Sequence, residues 1–204
     1  MKLIKILHYG SGNTGSILSC LSSIGYPGSI VKEDKDIIDS DLIILPGVGS
    51  SKAALKNIYK NNHFDSLDKR FKARKPILGI CLGCQMPFHF LEESNSLGFE
   101  WIEGSVKKLP SSISFNNGWC RLNFSELKNL GLSRGLTKNA TFYFNHQYYI
   151  SRKNKIKSVC IRDLDFVPAI FFFYSICGIQ FHPEKSQEAG KILLRNLLED
   201  HYGF

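Results

Sequence analysis

Gly79-Ile80-Cys81-Leu82-Gly83 places a thiol between two glycines, where a short apolar run, Pro76 to Ile80, gives way to a helix-forming stretch. That is the form of a nucleophile elbow: the reactive side chain projects from a sharp strand-to-helix turn, and its small neighbours relieve the crowding. A thiol in this position gains from the N-terminal end of the following helix, which favours the thiolate. The backbone N–H of Leu82 then points at the oxygen that becomes negative during attack. A thiol nucleophile also needs a base. His182-Pro183-Glu184 follows the last apolar run, Gly178 to Phe181. The proline fixes the backbone between the two side chains. A carboxylate there can orient the imidazole and stabilise its charged form. Together these residues have the types needed for covalent acyl chemistry.

Each motif has an ordinary reading beside it. A free cysteine is most often a core residue, but the paired glycines at a strand–helix junction argue for exposure to chemistry. Cys81 and Cys84 form a C-x-x-C, which could be redox-active or hold metal. No second C-x-x-C exists, and no thioredoxin-like pattern lies near the N-terminus. His8, His63, His89 and His201 lack a setting like that of His182. His146, in Phe144-Asn145-His146-Gln147-Tyr148, is flanked by aromatics and is expected to shape a pocket wall. Gly10-Ser11-Gly12 is only a fragment of a phosphate-binding fingerprint, and a tight strand–helix turn explains it. No cofactor is expected.

The elements that must position these groups alternate in the first half. Leu3–Leu7, Ser29–Val31, Leu42–Leu45 and Pro76–Ile80 read as strands. Thr14–Ile24, Ala53–Tyr59, Phe64–Ala73 and a stretch from Leu82 to about Glu92 read as helices, with Gly25 stopping the first. Such alternation implies a parallel sheet flanked by helices. From Gly104 to about Phe173 short strands and turn residues predict an antiparallel extension on the same core. Asn116-Asn117-Gly118 and Lys153-Asn154-Lys155 are turn candidates there. Ala189–Leu198 reads as a closing amphipathic helix. With no linker or repeat, residues 1–204 are expected to form a single α/β domain.

The 204 residues are 43% hydrophobic and 22% charged, which excludes disorder and fibrous repeats as whole-chain descriptions. The net charge is +8, but it is spread out. Lys52, Lys56, Lys60, Lys69, Arg70, Lys72, Arg74 and Lys75 lie in one region, and Lys153, Lys155 and Lys157 in another. Without interleaved aromatics these read as solvated surface, and no nucleic-acid partner is expected. Six cysteines are too sparse for a disulfide scaffold. Lys5 interrupts the first apolar run, so no signal-peptide core forms. Phe166–Phe181 contains Pro168, Ser175, Gly178 and Gln180, and falls short of the ~20 residues of a membrane span. A soluble, cytoplasmic, thiol-reduced protein is expected, with no membrane partner.

The motifs together resemble the class I glutamine amidotransferases, and within them the glutaminase subunits of imidazole glycerol phosphate synthases. The matching blocks are Tyr9-Gly10-Ser11-Gly12-Asn13, Leu45-Pro46-Gly47-Val48-Gly49, Gly79 to Gln85, Ile102-Glu103-Gly104, Gly118-Trp119, Tyr143-Phe144-Asn145-His146 and Gly178 to Ser186. They occur in the family's order over nearly the whole chain. The resemblance implies a flavodoxin-like α/β fold and a Cys81-His182-Glu184 triad that hydrolyses glutamine to glutamate and ammonia. It implies oxyanion contacts from Val48, Gly49 and Leu82, and glutamine contacts from Gln85, Glu93, Gln147 and Tyr148. It also implies a heterodimer with a cyclase (synthase) subunit, met by Asn13, Trp119, Tyr143 and Lys185. That subunit would use channelled ammonia to make imidazole glycerol phosphate and AICAR in histidine biosynthesis.

Some positions depart from the family pattern. His8 stands where an acidic or small residue is common. Asn117-Gly118-Trp119-Cys120 replaces a segment usually reading Pro-His-Met-Gly-Trp-Asn, and Gln147 stands where Ser or Thr is usual. Pro87 falls in the second turn of the helix after Cys81, where it costs a hydrogen bond. Glu92-Glu93-Ser94 aligns with a family Glu-Glu-Ser block if three residues are inserted, which leaves the contact to the glutamine's amino group open. The triad is untouched by these changes, whereas the partner face is altered. A paralogous glutaminase supplying ammonia to a sugar-modifying amidotransferase is therefore the alternative, and a cysteine hydrolase acting alone is a further one.

Overall fold

The computed structural model describes residues 2–10, 12–113, 116–125, 130–151, 156–162 and 164–204. Ser11 and the expected Lys153-Asn154-Lys155 turn lie outside the described residues. In chain order the first half supplies β1 (Ile4–Ile6), α1 (Thr14–Ser23), β2 (Gly28–Ile30), α2 (Asp34–Asp39), β3 (Leu42–Leu45), α3 (Ser51–Lys60), α4 (His63–Lys72), β4 (Ile77–Ile80) and α5 (Leu82–Gln85). Then come β5 (Phe88–Leu91), β6 (Ser96–Leu97), β7 (Ile102–Lys108), β8 (Asn116–Asn123), β9 (Thr141–His146) and β10 (Tyr148–Ser151). The chain closes with β11 (Lys157–Ile161), β12 (Leu164–Phe173), β13 (Ile176–Ile179) and α6 (Gln187–Asn196).

Among the described residues the strands form a nine-stranded sheet, ordered β2-β1-β3-β4-β13-β12-β11-β8-β9, and a four-stranded sheet, β10-β7-β5-β6. The pairs linking β2 through β13 are parallel, and those from β13 to β9 are antiparallel. The central sheet is thus mixed, with a flavodoxin-like α/β half and the expected antiparallel extension continuing it. Its inner strands β3, β4 and β13 are buried along their whole length, which is why they read as unbroken apolar runs, whereas β1 carries Lys5 and the edge strand β2 is only partly buried. Leu42 and Ile44 of β3 enter a core shared with Ile17 and Leu21 of α1 and Leu193 of α6. Ile43 and Leu45 face the opposite core, with Leu55 of α3, Leu67 of α4 and Phe88 of the small sheet. In such sheets ligands bind beyond the carboxyl ends of the strands.

Three sequence expectations are corrected. The helix after Cys81 does not reach Glu92: it is one turn, Leu82–Gln85, and the chain runs on into β5. Pro87 has no N–H to extend the helix, and its carbonyl accepts from the N–H groups of Trp101 and Ile102, both at 3.0 Å. Asn116-Asn117-Gly118 is not a turn. It is the start of β8, with Asn117 opposite Asn145 and Gly118 opposite Phe144. Arg70 is not part of a solvated face: it is 1% exposed. Its guanidinium donates to the carbonyls of Ile37, Ser40, Asp41 and Pro76 at 2.8–3.0 Å, joining α2 to the start of β4. No helix among the described residues is long and apolar enough to cross a membrane.

Candidate active site

β3, β4 and β13 are neighbours in the sheet, so their carboxyl ends bring 46–49, Cys81 and His182 together. Cys81 caps the N-terminus of α5 with φ 52° and ψ −113°. A non-glycine residue there costs about 1–3 kcal/mol and persists only when its surroundings hold it. Here the Cys81 N–H donates to the Ile179 carbonyl at 2.7 Å. The glycines make the close packing possible. A Cβ on Gly83 would lie 1.9 Å from the Leu45 carbonyl oxygen, and one on Gly47 would lie 2.3 Å from the Leu82 nitrogen. The elbow expected from the sequence is present, with the dipole of one helical turn behind it rather than that of a long helix.

His182 follows β13 and precedes a 3-10 turn, Pro183–Lys185. Its Nδ1 lies 2.8 Å from Glu184 Oε1, and both side chains are 2% exposed. The ring and the Cys81 thiol line the same cavity. Burial works against the imidazolium, but the interactions with Cys81 and Glu184 outweigh it and raise the pKa to about 9. At neutral pH the ring is thus held charged beside the sulfur.

A cavity of ≈ 170 Å³ opens over the sulfur. Val48, Gly49, Leu82, Gln85, Glu93, Gln147 and Tyr148 all border it, as do Asn145 and His146. Glu93 Oε2 accepts the Ser51 N–H at 2.9 Å, which ties the cavity rim to the start of α3. Glu92 instead accepts from Lys108 N–H at 2.9 Å, so Glu93 is the carboxylate at the cavity. Gln85 is 6% exposed, and its Nε2 donates to the Tyr148 carbonyl at 3.1 Å. Gln147 is the bend between β9 of the large sheet and β10 of the small one. His146 forms a wall, as expected. Its Nδ1 sits 2.8 Å from the Tyr148 carbonyl, and burial lowers its pKa to about 4, so it brings no charge. Behind the cavity the Tyr9 hydroxyl donates to the Pro46 carbonyl. Burial, with Cys81 nearby, keeps that phenol protonated. Cys84 is fully buried and its thiol is pushed well up by burial.

Of the residues expected to face a partner, Tyr143 lies with its ring 6.4 Å from that of His182, and Trp119 and Lys185 gather around Tyr143. Trp119 is 47% exposed and packs edge-on against Tyr143, centroids 5.8 Å apart. The Tyr143 hydroxyl donates to Asn117 Oδ1 at 3.2 Å, and Lys185 Nζ lies 5.9 Å from the Tyr143 ring. Asn13 caps α1, its Oδ1 accepting from the Ser16 N–H at 3.3 Å, and α1 packs against the 183–185 turn. Sequence reasoning gave no role to Gln180, which is 1% exposed and reaches Cys81, Cys84 and Gln85. Its signal was its place two residues before the base.

An elbow thiol, a charged histidine and a buried carboxylate on adjacent strand ends have the arrangement of a thiol-nucleophile enzyme on an α/β sheet. Residues 5–200 match the class-I glutamine amidotransferase family model, and the chain belongs to that family. It is an enzyme of the glutamine amidotransferase class, closely related to the HisH-type glutaminase subunits. It is 34% identical over 200 residues to imidazole glycerol phosphate synthase subunit HisH of Prochlorococcus marinus, covering 96% of this chain and 93% of that one. It is 35% identical over 206 residues to subunit HisH 1 of Campylobacter jejuni, covering 96% and 99%. A crystal structure of a glutamine amidotransferase shares the fold, with a TM-score of 0.74 at 17% identity over 99% of this chain and 100% of that one.

Proposed function

We propose that the chain, as one domain, is the ammonia-producing glutaminase subunit of an imidazole glycerol phosphate synthase in histidine biosynthesis. The observation that carries this reading is the buried His182–Glu184 pair, at 2.8 Å, set beside the Cys81 thiol on the wall of one cavity. In the proposed reaction the Cys81 thiolate attacks the side-chain amide carbon of glutamine. The oxygen that becomes negative is met by the Leu82 N–H and by the backbone of Val48 and Gly49. His182 gives its proton to the leaving nitrogen, ammonia departs, and a glutamyl thioester remains on Cys81. His182 then takes a proton from water, the hydroxide attacks the thioester, and glutamate leaves with the thiolate restored. Glu184 orients the ring throughout and stabilises its positive charge in the steps where it is protonated. Gln85, Glu93 and the backbone at Gln147 and Tyr148 are proposed to hold the amino-acid end of glutamine.

Ammonia released into water is protonated and ceases to be a nucleophile, so the site calls for a partner that covers it. The exposed Trp119, with Tyr143, Lys185 and Asn13 around it, is the proposed seat of a cyclase subunit. Large aromatics of this kind anchor protein interfaces. The test is glutamate release from glutamine, with and without the cyclase and its nucleotide-like substrate. A low basal rate that rises strongly when both are added is expected. A rate that ignores the cyclase, yet still needs Cys81, would assign the glutaminase to another acceptor enzyme, such as a sugar-modifying one. The altered segment 117–120 lies on the face where such a change of partner would register.

A further inference from the structure

Gln180 links the nucleophile Cys81 to Gln85 of the pocket and also touches Cys84, and the direction of its hydrogen bonds is fixed by the backbone. The Tyr148 carbonyl can only accept, so the group of Gln85 that meets it at 3.1 Å is the donor Nε2. The same Nε2 lies 2.9 Å from Gln180, which must therefore present Oε1 there. That leaves Gln180 Nε2, a donor, turned toward Cys81 Sγ at 3.9 Å. Cys84 Sγ, also 3.9 Å from Gln180 Oε1, adds a weak donor to the same oxygen. Gln180 is 1% exposed, and its own N–H is spent on the Ala169 carbonyl at 2.8 Å. Its carboxamide thus has little freedom to turn over.

We infer that Gln180 is a positioning residue of the glutaminase site: it offers an N–H to the Cys81 thiolate and fixes the Gln85 carboxamide so that its oxygen faces the cavity. The inference rests on the proposed function and deepens it. With both Nε2 hydrogens of Gln85 committed, to Tyr148 and Gln180, only the Oε1 acceptor remains for a bound molecule. The cavity then favours an N–H donor at that point, which glutamine carries in its amide and ammonium groups. The Gln180 Nε2 hydrogens favour sulfur as an anion, since a donor gains more from a charged acceptor than from a neutral one.

Two variants separate these effects, read by glutamine kinetics and by the pH profile of iodoacetamide alkylation on the Cys81 peptide. Gln180→Leu removes both ends of the link. It is expected to raise KM about fivefold or more and to move the alkylation profile to higher pH. Gln180→Glu keeps the acceptor for Gln85 but puts a carboxylate beside the sulfur. It is expected to keep KM within about twofold while kcat falls about tenfold or more and the alkylation profile again moves up. If Gln180→Leu does not fold, the isosteric Gln180→Glu decides alone. Variants that fold with KM and alkylation profile unchanged would overturn the inference and leave Gln180 as packing. Failure of the parent protein to hydrolyse glutamine, or turnover that survives in Cys81→Ala, would instead overturn the proposed function.

Discussion

The backbone carbonyl of Tyr143 accepts a hydrogen bond from the backbone N–H of His182 at 2.9 Å. Tyr143 lies on β9 opposite Trp119 of β8, so one strand pair carries both the exposed aromatics and the anchor of the histidine. A partner pressing on Trp119 or Tyr143 acts on the same β9 backbone that fixes His182.

Ser186 completes this link. Its hydroxyl accepts the Tyr143 N–H at 3.0 Å and donates to the His182 carbonyl at 2.6 Å, while it is 1% exposed. Ser186→Ala takes the acceptor from the Tyr143 N–H and leaves the His182 carbonyl with the Lys185 N–H alone, at 3.1 Å. A stability loss of about 1–3 kcal/mol is expected by urea unfolding. Because the turn carries the base and not the amino-acid pocket, kcat should fall while KM stays close to that of the parent. A KM that moves as far as kcat would place the turn in substrate binding instead.

The pH dependence follows from His182. Its pKa is raised to about 9 in the folded protein, above the ~6.5 of an unfolded histidine. The stability it contributes is complete below the unfolded value, and is lost as the pH rises through the folded one. Catalysis should follow the same proton: kcat/KM declines above about pH 9, where the ring no longer has a proton to give the leaving nitrogen. Removing the carboxylate charge with Glu184→Gln should move that limb to lower pH. A limb that stays in place in this variant would mean that some other group controls it.

Arg70 separates stability from chemistry. Its guanidinium serves four backbone carbonyls around β4, far along the strand from Cys81. Burial lowers its pKa to about 10, so it stays charged at neutral pH. Arg70→Met removes the guanidinium donors from those carbonyls, of which Pro76 keeps the Ile43 N–H at 3.3 Å, and should cost about 3 kcal/mol or more in urea unfolding. Below its melting range the variant should keep the parent kcat. A large fall in kcat without loss of stability would contradict this assignment.

Cys81, Leu82 and their glycines could be read from the sequence because a strand-to-helix elbow is a local event, set by residues 79–83. His182 and Glu184 were legible for a similar reason, being joined across one proline. The short reach of α5 was not. Pro87 marked a weakness in the helix, but only pairing of the next segment with 99–102 shows that it ends there. Asn116-Asn117-Gly118 has turn composition, and the tertiary register with β9 overrides it. Gly118 accommodates φ +147° within that strand. Arg70 sits in a run of basic residues, and nothing in the run marks the one that turns inward. The direction of the Gln180 hydrogen bonds depends on Tyr148 and Gln85, residues far away in sequence.

The central claim is that Cys81 forms a covalent bond to the side-chain carbon of bound glutamine. Its most direct test is labelling with a glutamine analogue whose carboxamide is replaced by a diazoketone, followed by peptide mass analysis. The account predicts one adduct per chain, on Cys81, blocked by glutamine and lost in His182→Ala, with the buried Cys84 unlabelled. An adduct on Cys84, or labelling of Cys81 that glutamine does not slow, would contradict it.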